Sequence, residues 1–186
     1  MVKTARAHLK SVSPYSQSRF IQSTKSRDET HDDFEQRTWK ERLHIDENGI
    51  VFIPPTSFKN CLAEAAKYKS IQIPGKGKTT YTKHFEAGVM VCEPLSLGIH
   101  VDDVKGEALH VPSDGRRGGT KRVMKTFPII PSWSGVVEFL VLDEIINEDV
   151  FQSHLEDAGK FIGVGRFRPR NNGYYGRFEV VKIEWV

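Results

Sequence analysis

Between Gly163 and Phe178 the chain reads Gly-Val-Gly-Arg-Phe-Arg-Pro-Arg-Asn-Asn-Gly-Tyr-Tyr-Gly-Arg-Phe, with four glycines, four arginines, four aromatic rings and no acid. Each of these residue types has a use against a polyanion. Glycine lets backbone approach a ligand closely and enter conformations closed to other residues. Arg166, Arg168, Arg170 and Arg177 offer planar forks that match phosphate oxygens. Tyr174 and Tyr175 offer faces on which bases stack or rings that shape the loop. The combination points to a loop that holds nucleic acid rather than to a catalytic one.

Three further segments carry candidate chemistry. Gly75-Lys76-Gly77-Lys78-Thr79 has the end of a phosphate-cradling loop, but that motif needs a glycine where Gln72 stands, which excludes nucleotide hydrolysis. Lys76 and Lys78 are read as a flexible basic loop against a nucleic-acid backbone. Arg116, Arg117, Lys121 and Arg122 form a Gly-flanked basic loop, able to reach across a strand or onto a neighbouring subunit. His31-Asp32-Asp33 places two carboxylates side by side, the donors that a hard cation needs beside a phosphate. No histidine or cysteine spacing suggests a metal centre, and no cofactor is expected.

The charge distribution supports a local basic surface. The 186 residues carry a net charge of only +3, yet residues 1–27 hold six basic and no acidic side chains, and residues 115–125 and 160–177 hold five basic and no acidic ones each. Separated basic clusters on a near-neutral chain face phosphates. Residues 28–48 are the opposite, with eight carboxylates, explained from sequence only by catalysis or by contact with a neighbouring protomer. Cys61 and Cys92 lie in apolar contexts as reduced core thiols. No apolar leader and no run of 18 apolar residues is present, so a cytoplasmic protein with no membrane contact is expected.

These groups need a frame. Residues 4–12 alternate as a half-buried strand, and residues 50–53 form a short apolar one. Pro54-Pro55-Thr56 opens a helix with Thr56 as its cap. Its stripe is Phe58, Cys61, Leu62 and Ala65, and it ends near Tyr68. Residues 74–86 read as a loop, 88–92 as a buried strand, and 101–122 as a polar loop. Strands follow at 123–130 and 136–142. A second helix is capped by Asn147 and stopped by Gly159, and a last strand runs from Arg177 to Val186. Strand, helix, strand, strand, helix, strand is an α+β, ferredoxin-like (RRM-like) split βαβ order. It gives an antiparallel sheet, helices on one face, the other face free for a ligand, and long loop insertions. One domain over 1–186 is expected, with insertions at about 13–49 and 69–122. Trp39, Trp133 and Trp185 read as core or interface anchors.

Two of these segments carry a family resemblance. Ile53, Pro54, Ser57, Lys59, Leu62 and Ala65 resemble the I-P-x-S-S-L-K-G-x-L-R-x-A segment that opens the first helix in the RAMP superfamily (repeat-associated mysterious proteins), with Asn60 in place of the small residue after the lysine. The run with Gly173, Tyr174, Gly176 and Arg177 resembles that family's C-terminal Gly-rich loop. The chain looks most like the backbone subunits of CRISPR effector complexes. The resemblance implies binding of RNA or single-stranded DNA, and either homo-oligomerisation or a place in a multi-protein complex. Lys59, near a helix N-terminus that already favours an anion, is then a phosphate contact. RNA-cleaving members hold a catalytic Asp in the loop equivalent to 13–49, which implies a metal-dependent endoribonuclease using Asp32 or Asp33 as an alternative. A protein that mimics or caps such an assembly without holding RNA is another.

Overall fold

The computed structural model describes residues 2–113, 115 and 118–186; Arg116 and Arg117 lie outside the described residues. Four strands form the main sheet, in the order β4 (Val89–Val91), β8 (Ser134–Val141), β1 (Lys3–Ser11), β9 (Phe178–Trp185), each antiparallel to its neighbours. This is the split βαβ arrangement expected from the order of elements: β8 inserts between β1 and β4. Helices α2 (Pro55–Lys69) and α4 (Glu148–Asp157) supply the other layer of the core. Ala5, Ala7 and Leu9 of β1, Val137 and Phe139 of β8, Phe58 and Leu62 of α2, and Phe151 and Leu155 of α4 are buried together. Trp133 anchors this core, edge-on to Tyr15 and Phe58.

Both insertions hold more structure than the sequence suggested. Residues 101–122 are not a loop, because β6 (Lys105–Pro112) pairs along its whole length with β7 (Arg122–Ile130). With β2 (Tyr15–Ser16) these strands make a second sheet, in the order β2-β7-β6. Likewise β5 (Leu95–His100) pairs with β3 (Ile50–Ile53), and α3 (Thr82–Gly88) takes the end of the stretch read as a loop. β6 alternates weakly and is mostly exposed, so the apolar period that marks a half-buried strand is missing from it.

Helix ends also differ in detail. Pro54, not Thr56, caps α2, and no side chain caps its N–H groups; Ser57 N–H donates to the Pro54 carbonyl at 3.0 Å. Asn147 caps α4 as expected, its side chain accepting from Val150 N–H at 2.9 Å. Gly159 does not stop that helix. The chain continues through a π-turn, Ala158–Ile162, and turns at Gly163 with φ 73°. Gly159 serves close packing instead, since a Cβ there would lie 2.1 Å from the Phe178 carbonyl oxygen. Cys61 is buried, and burial pushes its thiol pKa up; Cys92 is exposed, contrary to the core position expected.

The acidic insertion is clamped from within. Glu41 accepts from Gln22 N–H, Ser23 N–H and the Ser23 hydroxyl. Glu29 forks with Arg37 at 2.8 and 3.0 Å. Asp46 accepts from Asn48 and Ile50 N–H groups. Glu35 of α1 (His31–Thr38) is fully buried: it pairs with Arg42 at 3.0 Å and accepts from Thr126 N–H of β7 at 2.7 Å. Five carboxylates thus fold the segment rather than await a neighbour, the fifth being Asp33, described below.

The Gly-rich loop is not a pliant hairpin. Val164 N–H donates to the Gly176 carbonyl, Arg166 N–H to Ser16, Gly176 N–H to Pro14 and Tyr175 N–H to Phe167, all at 2.8–3.0 Å. A Cβ on Gly176, at φ 80°, would lie 1.8 Å from the Val164 oxygen, so glycine is required there. The Tyr175 hydroxyl donates to Glu107 of β6 at 2.6 Å, which ties the loop to the second sheet.

Two outcomes follow from these ties. Glu35→Ala leaves the Arg42 charge buried without its partner and lowers unfolding free energy by about 3–5 kcal/mol, read from urea denaturation. Desolvation, with the hydrogen bond to Glu107 and its charge, raises the Tyr175 pKa from 10.0 to about 12. Its raised folded pKa gives stability that is complete below pH 10 and lost as pH rises towards 12. Tyr175→Phe should flatten that part of the stability–pH curve and remove one late-ionising phenol from an absorbance titration at alkaline pH.

Candidate nucleic-acid interface

The basic side chains named from sequence do not form one surface. Lys76 and Lys78 are exposed on a turn closed by the Ile73 N–H bond to the Thr79 carbonyl, 2.8 Å. Lys121 is exposed, and Arg122 donates to the His110 carbonyl at 3.3 Å. Lys59 is half-buried in the second turn of α2, two positions further from the cap than a Thr56 cap would place it, with no ion-pair partner among the described residues. Arg177 lies against its own backbone, donating to the carbonyls of Lys160 and Tyr174.

Two of the loop arginines are internally neutralised. Arg168 and Arg170 share the carboxylate of Glu64 on α2, at 2.9 and 3.2 Å. The Arg170 guanidinium also lies 5.5 Å from the Tyr68 ring centroid. Two cations on one anion leave a single net charge at that end of the loop. Tyr174 remains exposed and Tyr175 is committed to Glu107.

Arg166 behaves differently. Its guanidinium sits 3.4 Å from the Phe127 ring centroid, and its Nη1 is buried with no hydrogen-bond partner. Burial lowers its pKa, and nearby Arg42 lowers it further; a guanidinium remains charged throughout the physiological range. Arg42 lies over the same ring at 5.0 Å, and its Nη1 is buried and unpartnered as well.

These groups line a groove of about 850 Å³ that the sequence reading did not identify. Arg19, Arg42, Lys125 and Arg166 supply cations; Phe20, Phe34, Phe127 and Phe167 supply rings; Glu35, already paired, is the one carboxylate lining it among the described residues. Residues 18–23, α1, the end of the 3₁₀ turn Trp39–Arg42, β7 and the Gly-rich loop meet there. Segments far apart in the chain build it, so no local spacing could announce it. The signals available were the adjacent Arg19-Phe20 in the basic arm and Lys125-x-Phe127 in a strand.

The open face of the main sheet does not offer such a surface. Arg6 meets Glu138 at 2.6 Å, Glu184 pairs with both Lys182 and His8, and Lys10 stands opposite Glu179 in register. Its cations and carboxylates balance, and no exposed ring lies between them. The free face expected to take a ligand is therefore a laced, near-neutral one.

Asp32 and Asp33 lie in the first turn of α1. The Thr30 side chain accepts from Asp33 N–H at 3.1 Å and its hydroxyl donates to the Asp33 carboxylate at 2.6 Å, a reciprocal helix cap. Among the described residues no cluster of three His, Cys, Asp or Glu side chains is arranged to hold a metal ion. No described helix is long and apolar enough to cross a membrane.

No protein-family model matches the sequence, and no curated protein does. Solved structures do. A chain of the Type III-B Cmr-beta assembly bound to cognate target RNA superposes with a TM-score of 0.52 at 12% identity, over 100% of this chain and 61% of that one. This chain is thus under two thirds of the length of that relative. Cmr6 from Pyrococcus furiosus superposes with a TM-score of 0.51 at 13% identity, over 97% of this chain and 99% of that one. The chain has the α+β fold of these Cmr subunits, the fold that the RAMP resemblance implied.

Proposed function

We propose that this protein is a single-stranded RNA-binding subunit of a CRISPR-type ribonucleoprotein, with the strand lying along the groove beside Phe127. The observation that carries the reading is the convergence of Arg19, Arg42, Lys125 and Arg166 with the exposed rings of Phe20 and Phe167, against one carboxylate among the described residues, which is already paired. Cations that track a backbone and rings that take unstacked bases are the two components of sequence-tolerant single-strand binding. A duplex keeps its bases stacked and would leave Phe20 and Phe167 unused. The fold shared with Cmr6 and with a chain of an RNA-bound Cmr assembly supports the same reading.

The remaining candidates take secondary places in this reading. Arg168, Arg170 and Arg177 stand on the same Gly-rich loop as Arg166, while Lys59, Lys76, Lys78, Lys121 and Arg122 lie off the groove's lining. Tyr174 offers a further stacking face. Neighbouring subunits, whether copies of this chain or others, would continue the RNA path. Asp33 closes a helix turn here, and the binding reading needs no cleavage step.

Two measurements test the assignment. For single strands the logarithm of affinity falls with the logarithm of salt with a slope of roughly 0.7 per neutralised phosphate. Lys125→Ala removes one contact and should reduce that slope by about 0.7, weakening RNA oligonucleotides of any sequence alike without lowering the melting temperature. An unchanged slope would remove the groove from the RNA path. Glu64→Gln releases Arg168 and Arg170 from their shared carboxylate and should raise affinity by about two- to five-fold at low salt, in a filter-binding assay. A parallel titration with DNA of the same sequence reports whether the 2′-hydroxyl is read.

A further inference from the structure

Arg42 and Arg166 present an unusual pair of groups. Arg42 is 6% exposed, and Glu35 engages its Nη2 alone. Its Nη1, and that of Arg166, find no acceptor among the described residues. A buried N–H without a partner is costly, and native structures keep few of them unless a ligand or another function accounts for them. Here two occur on cations that share the Phe127 ring and line the same groove.

Phe20 stands beside them for a structural reason. Arg19 N–H donates to the Arg42 carbonyl at 3.0 Å, which fixes the arm at the guanidinium's own residue. Glu41 then holds the arm's next turn through Gln22 and Ser23. The Phe20 ring that results is 84% exposed and has no ring partner among the described residues. A phenyl group so displayed on an anchored segment gains nothing for folding.

We infer that this end of the groove is a mononucleotide subsite, in which one phosphate is held between Arg42 and Arg166 and its base stacks on Phe20. A tetrahedral phosphate has oxygens enough to meet both guanidinium groups at once, while Glu35 continues to hold the far side of Arg42. Among the described residues the Arg166 side chain makes no hydrogen bond that would have to break, so it can turn from the Phe127 ring to the phosphate. Phe167 also lines the groove, its ring centroid 5.8 Å from the Arg166 guanidinium. It is half exposed and sits at φ 53°, a conformation that a bulky residue adopts only where its surroundings enforce it. The subsite deepens the RNA-binding reading and rests on it for its biological ligand: the nucleotide is one unit of the bound strand, unstacked from its neighbours.

The test uses the full chain and three probes, AMP, adenosine and inorganic phosphate, titrated by calorimetry or by NMR shifts. AMP should bind more tightly than either fragment. Phe20→Ala should weaken AMP by roughly 5- to 150-fold and leave inorganic phosphate unchanged. Arg166→Gln should weaken AMP and phosphate together by roughly 10-fold or more, with the melting temperature checked for both variants. AMP binding no tighter than adenosine, or insensitive to Phe20→Ala in a folded variant, overturns the subsite. If an RNA oligonucleotide binds but AMP does not, the subsite falls and the function proposed above stands. If AMP binds with the expected mutational pattern and the oligonucleotide does not, the subsite stands and that function falls.

Discussion

The buried pair between Glu35 and Arg42 is the constraint on which the site depends. Its two carboxylate oxygens join three elements: the 3₁₀ turn through Arg42, α1 through Glu35 itself, and β7 through Thr126 N–H. A buried pair rarely adds much stability over apolar packing, because desolvating two charges offsets most of their attraction. What it supplies here is placement. It sets the Arg42 guanidinium over Phe127, and the Arg42 carbonyl in turn positions Arg19 and Phe20. An apolar pair of similar volume could fill the space but could not also accept from the Thr126 amide.

Charge is sorted across the molecule by the same logic. On the main sheet each exposed cation stands near a carboxylate, so the field is short-ranged and cancels within a few ångströms. Around the groove, carboxylates of the acidic insertion are engaged within the chain. Glu35 is paired, Glu41 is spent on backbone N–H groups and Glu29 on Arg37. Those hydrogen bonds, and for Glu29 the Arg37 charge, hold both the Glu29 and Glu41 carboxyls below the usual range, Glu29 at about 2. An acidic segment therefore builds a basic surface: its negative charges are consumed in shaping the arm, and the cations they leave face the opening. The formal charge of the segment is a poor guide to the potential it presents.

How much of this was legible in the sequence depended on the range of the cause. The split βαβ order could be read because each element declares itself locally, through the alternation of β1, the stripe of α2 and the Asn147 cap. β6 could not, because an exposed edge strand has no apolar period, and only its eight-residue register with β7 reveals it. The arginines of the Gly-rich loop were visible as residues, but their states were not. Arg168 and Arg170 meet Glu64, about a hundred positions away, while Arg166 meets Phe127. Arg19, Arg42 and Lys125 were passed over because their meaning is a shared location, which spacing along the chain does not encode.

The rigidity of the loop changes what its glycines mean. A segment this rich in glycine could equally be a flexible one that orders only around a ligand, at a cost in conformational entropy. The backbone bonds from Val164, Arg166, Tyr175 and Gly176 show the opposite use of glycine: close approach of two chain segments and a positive φ at Gly163, Gly165 and Gly176, where the crossing requires it. A loop already ordered spends none of its binding energy on ordering, so cations fixed on it contribute more per contact than the same groups on a mobile hairpin. That favours assigning recognition to Arg166, whose backbone the crossing holds in place and which pairs directly with no carboxylate among the described residues, over Lys76 and Lys78, which stand exposed on their turn.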